Sequence, residues 1–243
     1  MQFLTIKNRA TRPRADGSKF AEAFFVKKPR KYAEASEIET VSKKKCLLVT
    51  GAHDSGKSRW IHRLFDASAD IWGSKAKTNP PVILEALQPL IAWTEQDGLI
   101  AWWDMRAEAS EDDKKKYWKT LKPHQRADAL VEYVAKTGAL VFCDDCHRLT
   151  GRKLQVARSC LMAAKIFIIS ASEEQRIAPN LRQVVLRRDP QIFRLGSEVS
   201  YDATNVFMWI FLFSCLAGGW WEAAAVLGGL KALGSGRRAT RAD

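Results

Sequence analysis

The sequence predicts an α/β fold, a three-layer sandwich on a mainly parallel sheet, with a C-terminal hydrophobic helix or helical hairpin appended. Three observations predict it. Between residues 46 and 195 short apolar runs alternate with helical patterns, the order that a parallel sheet with crossover helices requires. The first of those runs leads through a glycine-rich turn straight into an amphipathic stretch. From residue 203 the chain then carries no charge for 19 residues. With 243 residues there is enough chain for one good-sized domain and an appendage.

Residues 1–45 hold twelve Lys and Arg against five acids, around a short apolar patch at Ala21–Val26. They read as a basic, loosely packed N-terminal extension. Within the 46–195 domain the predicted strands are Cys46–Thr50, Pro81–Ala86, Leu99–Trp103, Ala139–Cys143, Ile166–Ser170 and Val184–Leu186. The predicted helices are Lys57–Phe65, Gln125–Lys136 and Arg152–Ala164. The charged stretch 104–119, "DMRAEASEDDKKKYWK", reads as an exposed loop or surface helix.

The run "ATNVFMWIFLFSCLAGGWW" is apolar on every side, which suits lipid better than the core of so small a domain. Residues 203–230 are therefore expected to be a membrane segment, with Trp209, Trp220 and Trp221 as interfacial candidates. Glu222 interrupts the run, and Lys231, Arg237, Arg238 and Arg241 in the basic tail 231–243 favour a cytoplasmic end. A single tilted span and a hairpin turning at Gly218–Gly219 both remain open. The start "MQFLTIKNRATRPR" has no apolar core of a secretory signal, and five cysteines without paired spacing suit a reducing compartment. The expected location is the cytoplasmic face of the cell membrane. The net charge of +12, concentrated at the ends, suits contact with anionic lipid or nucleic acid, or plain solvation.

The glycine-rich turn is G-x-x-x-x-G-K-S: Gly51, Ala52, His53, Asp54, Ser55, Gly56, Lys57 and Ser58, with Arg59 next. A strand, a tight turn and a helix N-terminus make a cradle of backbone N–H groups for phosphates. In it Lys57 reaches the β- and γ-phosphate oxygens and the Ser58 hydroxyl ligates Mg²⁺. The metal needs a second acidic element, and "GALVFCDDCHRL" supplies one. Asp144 closes the apolar run Leu140–Cys143 and can hold Mg²⁺ through water, while Asp145 stands where a general base or water-orienting group acts. The same stretch fits C-x-x-C-H, the haem-attachment pattern, from Cys143 to His147. That chemistry needs exposure and an oxidising compartment, and zinc would want a second C-x-x-C. Cys143 is expected in the core, with Cys146 and His147 as neighbours of the site.

With the loop, the apolar run ending in two Asp, and the following "GRKLQVARSCLMAAKIFIISAS", residues 44–190 resemble an additional-strand P-loop NTPase close to the AAA+ ATPases. The resemblance implies ATP and Mg²⁺ as ligands. It implies a γ-phosphate-sensing polar residue after the next strand, at Ser170 or Ser172, and a downstream arginine among Arg176, Arg182, Arg187 and Arg188, with Arg176 preferred. An arginine acting on a neighbouring subunit would make the working form a homo-oligomer. The second acid is Asp rather than the commoner Glu, as in DD-type relatives that load helicases or act as switches, and no helical lid follows. No N-K-x-D motif occurs, which argues against guanine specificity. The expected function is a membrane-anchored ATPase that drives or gates assembly, secretion or transfer of a macromolecule, in outline like the small membrane ATPases of phages and mobile elements. The alternatives are a DNA-handling ATPase, of helicase-loader or transposition-regulator type, and a nucleotide-gated switch with little turnover.

Overall fold

The computed structural model describes residues 2–8, 21–27, 37–53, 55–108 and 117–195, and further on 210–211, 213–214 and 217–220. The chain divides into two compact units, Met1–Ser197 and Glu198–Asp243.

Five parallel strands make the central sheet: β4 (Leu47–Gly51), β5 (Val82–Glu85), β6 (Val141–Asp144), β7 (Phe167–Ala171) and β8 (Gln191–Leu195), in the order β5-β6-β7-β4-β8. Every pairing in it is parallel. Both faces are covered, so the strands are apolar almost throughout rather than alternating. On one face lie α1 (Lys57–Asp66), α2 (Ser68–Trp72) and α3 (Ser74–Thr78), packed on Leu47, Val49, Phe142, Ile168 and Phe193. On the other lie α4 (Leu90–Thr94), α5 (Asp97–Glu108), α6 (Pro123–Thr137), α7 (Gly151–Ala163) and α8 (Pro179–Leu186), over Leu48, Leu84, Cys143 and Ile169. From β4 the chain crosses to β5 at one edge, and from β7 it passes β4 to reach β8 at the other. This reversal opens a crevice at the carboxyl ends of β4 and β7, the usual ligand position in such sheets.

The described part of residues 1–45 is not a loose extension. They contain β1 (Gln2–Asn8), β2 (Ala21–Lys27) and β3 (Glu37–Thr40), an antiparallel sheet in the order β1-β2-β3. Ala21, Ala23 and Phe25 alternate along β2 as strand residues do, and they bury one face of this small sheet against α1 and α2. Phe25 meets Trp60 and Phe193, with ring centroids 5.4 and 5.2 Å away. Arg63 Nη1 donates to Leu4 O at 3.0 Å, and Gln191 Nε2 donates to Thr40 O at 3.0 Å. The antiparallel sheet is thus bound at both ends, to α1 and to β8.

Two predicted strands are helical. Leu99–Trp103 lies in α5, where Leu99 is buried and Trp102 and Trp103 pack partly against the core. Short apolar runs do not by themselves separate strand from helix, and here the run lies within a helix of twelve residues that starts at Asp97. Val184–Leu186 is the end of α8, which Pro179 opens at its first turn. The fifth strand is instead Gln191–Leu195, whose exposed Arg194 breaks the apolar pattern. Of the charged stretch 104–119, residues 104–108 continue α5, and Trp118 is buried in a short 3-10 turn.

Most of the expected membrane segment 203–230, and the tail 231–243, lie outside the described residues. Among the described residues no helix is long and apolar enough to cross a membrane. Within this run Ile210, Phe211, Phe213 and Trp220 are exposed, and the chain turns at Gly218–Gly219, with Gly219 at φ +76°.

Candidate functional site

The loop 51–58 leaves β4 at Gly51 and enters α1 at Lys57 through Gly56, whose φ of +83° only glycine adopts without strain. Its entrance is crowded. A side-chain carbon on Gly51 would stand 2.7 Å from Leu195 O and from Ser55 Oγ. Gly51 N–H donates to Ser172 O at 3.1 Å, which fastens the loop to the exit of β7. Helix α1 has no side-chain cap and no acid in its first turn, so no carboxylate of its own first turn offsets the positive end of its dipole. Lys57 is buried, and its Nζ donates to Ala52 O at 2.7 Å. Ser58 and Arg59 are exposed at the helix start, Ala52 and His53 are exposed in the loop, and Asp54 lies outside the described residues.

These features suit a phosphate group. Among the described residues the buried Ser55 Oγ, inside the loop, has no hydrogen-bond partner. A buried hydroxyl left that way is costly, and an anion held by the loop would satisfy it. Mg²⁺ would be held by Ser58 and, through water, by Asp144, where it would neutralise charge on the bound phosphates. Among the described residues no group of three or more His, Cys, Asp or Glu side chains converges on a metal. A Mg²⁺ bound mainly by phosphates and water needs no such group.

Asp144 closes β6 and is nearly buried. Ser170 Oγ donates to Asp144 Oδ1 and accepts Asp145 N–H at 2.8 Å, and the same N–H lies 3.1 Å from Asp144 Oδ1. Ser170 is fully buried, with its hydroxyl between Asp144 and the Asp145 N–H. Ser172 is joined to the loop through its backbone: its carbonyl takes the Gly51 N–H, its own N–H donates to His147 Nδ1 at 3.3 Å, and its Oγ has no partner. It lines a cleft of about 580 Å³ together with Gly51, Ala52, Glu174 and Arg194.

Asp145 sits at φ +51°, an uncommon backbone for a non-glycine residue. That turn brings its carboxylate to 3.8 Å from Arg148 Nε and 4.0 Å from His147 Nδ1. Burial holds the His147 pKa below its usual value, Asp145 opposes this, and Arg148, Lys57 and Arg176 add to it. With Nδ1 accepting a backbone N–H, neutral His147 carries its proton on Nε2.

The four candidate arginines separate. Arg176 follows β7 in a short 3-10 turn at the crevice end, exposed and 3.5 Å from Glu173 Oε2. Arg188 donates to Met162 O and Ala164 O, where β7 begins, at the opposite end of the sheet. Arg187 is beside it at the end of α8, and Arg182 lies along that helix. Arg176 lies close enough to His147 for its charge to help hold that imidazole's pKa down.

The C-x-x-C-H residues do not fit haem. Cys143 and Cys146 are wholly buried, and burial pushes both thiols well above their usual pKa. Sequence reasoning missed one pair at the site. Glu85 ends β5, and His62 of α1 places Nε2 3.1 Å from Glu85 Oε1. No family model and no curated protein sequence matches the chain.

Proposed function

We propose that the chain is a Mg²⁺-dependent ATPase of the additional-strand P-loop type, held at a membrane by its apolar C-terminal run. One observation carries the reading: a single strand, β7, separates the loop strand β4 from the Asp144 strand β6, and its Ser170 holds Asp144 in place. In this proposal Lys57, Ser58, Asp144 and Ser172 surround the crevice where β- and γ-phosphates would lie. The 580 Å³ cleft on the β8 side of the loop offers room for the nucleoside. The exposed Ile210, Phe211, Phe213 and Trp220 support the membrane part, since large apolar groups left in water are costly.

The work such a site performs is mostly positioning and charge stabilisation. Lys57 must leave Ala52 O to meet a phosphate, while the loop N–H groups close on the same anion. The reading further assigns the energy of hydrolysis to moving or assembling a macromolecule at the membrane.

The test is ATP turnover by the full-length protein in detergent, with a Lys57→Ala control and with DNA added in one arm. Magnesium-dependent turnover, lost at least about 100-fold in Lys57→Ala, is the expected result. Binding of no nucleotide by the wild type would refute the reading, and strong stimulation by DNA would replace the membrane role with a DNA-handling one.

A further inference from the structure

The attacking water needs a carboxylate, and the second Asp of the DD pair is badly placed to serve it. Its backbone N–H is tied to Ser170 Oγ, and its side chain turns toward Arg148 and His147. A different acid stands on the proper side of the sheet. Glu85 pairs in register with Asp144, the last step of the β5–β6 ladder. Parallel neighbours in register are about 4.8 Å apart with side chains on the same face.

That face is the one under α1. Phe142, two residues before Asp144, packs on Phe65 of α1 at 5.4 Å, and Ile168, two before Ser170, belongs to the same cluster. Ile83, two before Glu85, packs there too. Glu85, Asp144 and Ser170 therefore form a polar row across the carboxyl ends of β5, β6 and β7, roofed by the helix that opens with Lys57 and Ser58. His62 lies four residues after Ser58 and so on the same side of α1. It holds Glu85 Oε1 and leaves Oε2 for a water. Glu85 is partly exposed, so a water can reach it.

We propose that Glu85, rather than Asp145, takes the proton of the attacking water, with His62 as its positioning residue; this rests on the ATP-hydrolysis reading above. The water oxygen attacks the γ-phosphorus as its proton passes to Glu85. The bond from that phosphorus to the β,γ-bridging oxygen breaks, and ADP leaves with the electron pair. Glu85 gives the proton to solvent as orthophosphate departs.

Full-length wild type, Glu85→Gln, Asp145→Asn, His62→Gln and His62→Ala are compared by calorimetric Mg·ATP binding and by turnover. Glu85→Gln is expected to cut turnover by about 100-fold or more, the usual scale for a lost general base, with ATP affinity kept within about threefold. Asp145→Asn should lose less than about tenfold. His62→Gln, which retains a side-chain donor, should recover much of the turnover that His62→Ala loses, with KM unchanged in both. The proposal is overturned if Asp145→Asn is the variant that abolishes turnover, or if Glu85→Gln no longer binds ATP. Wild type that binds ATP but never hydrolyses it overturns Glu85's role alone. Wild type that binds no ATP overturns the underlying reading as well.

Discussion

Ser170→Ala tests how Asp144 is held. Ser170 is fully buried, and its Oγ both donates to Asp144 and accepts the Asp145 N–H. Removing the oxygen deletes one hydrogen bond to a charged group, worth about 1.5–3 kcal/mol. The Asp145 N–H keeps Asp144 Oδ1 at 3.1 Å, so its loss adds little. The void of one oxygen atom is small. A destabilisation of about 2 kcal/mol follows, which for a unit of this size lowers Tm by about 4–8 °C. Urea unfolding at neutral pH measures it, and the same substitution in an Asp144→Asn background measures the coupling. There the partner is neutral, so the cost should fall to about 1 kcal/mol. A cost under about 0.5 kcal/mol in the wild-type background, or an equal cost in both, would refute the argument that Ser170 works through the Asp144 charge.

Phe25→Ala removes a ring lodged between Trp60 and Phe193, and the global unfolding free energy should drop by about 3 kcal/mol; a change below about 1 kcal/mol would mean that the N-terminal sheet unfolds apart from the rest. His147 should titrate below its ordinary 6.5 in the folded protein, because burial disfavours its charged form. In that case the folded state binds fewer protons than the unfolded one between the folded pKa and 6.5. Stability conferred by neutral His147 is then present above 6.5 and lost as pH falls through that window. The imidazole resonances followed by NMR give the midpoint, and one at or above 6.5 would contradict the burial account.

The parts of the chain legible in sequence are those whose requirement is local. Gly51 and Gly56 announce the loop because no other residue fits their space and φ, and Cys46–Thr50 and Leu140–Cys143 announce strands because both faces of each are covered. What was hidden depends on partners distant along the chain. Gln191–Leu195 is a strand because β4 lies beside it, about 140 residues earlier, and Arg194 hides the pattern. "LIAWW" is as apolar as a strand, yet it lies in α5, where Leu99 is buried and Trp102 and Trp103 pack against the core. The N-terminal sheet could have been read from the Ala21, Ala23, Phe25 alternation, but the lysines and arginines around it masked the signal. At the site the two Asp were visible, yet the turn of Asp145 toward Arg148 and His147 was not, since it depends on a positive φ that no local pattern announces.

Helix α1 is gripped from two directions. At its start it carries Lys57 and Ser58, and one and two turns later Trp60 and Arg63 are held by Phe25 and Leu4 of the N-terminal sheet. Rising about 1.5 Å per residue, that stretch is a strut only about 9 Å long, too short to bend. A load applied to the N-terminal sheet is therefore transmitted as a pull on the loop 51–58. The N-terminal sheet is in this sense a handle, and whatever displaces it has mechanical leverage over the loop that ends at Lys57 and Ser58.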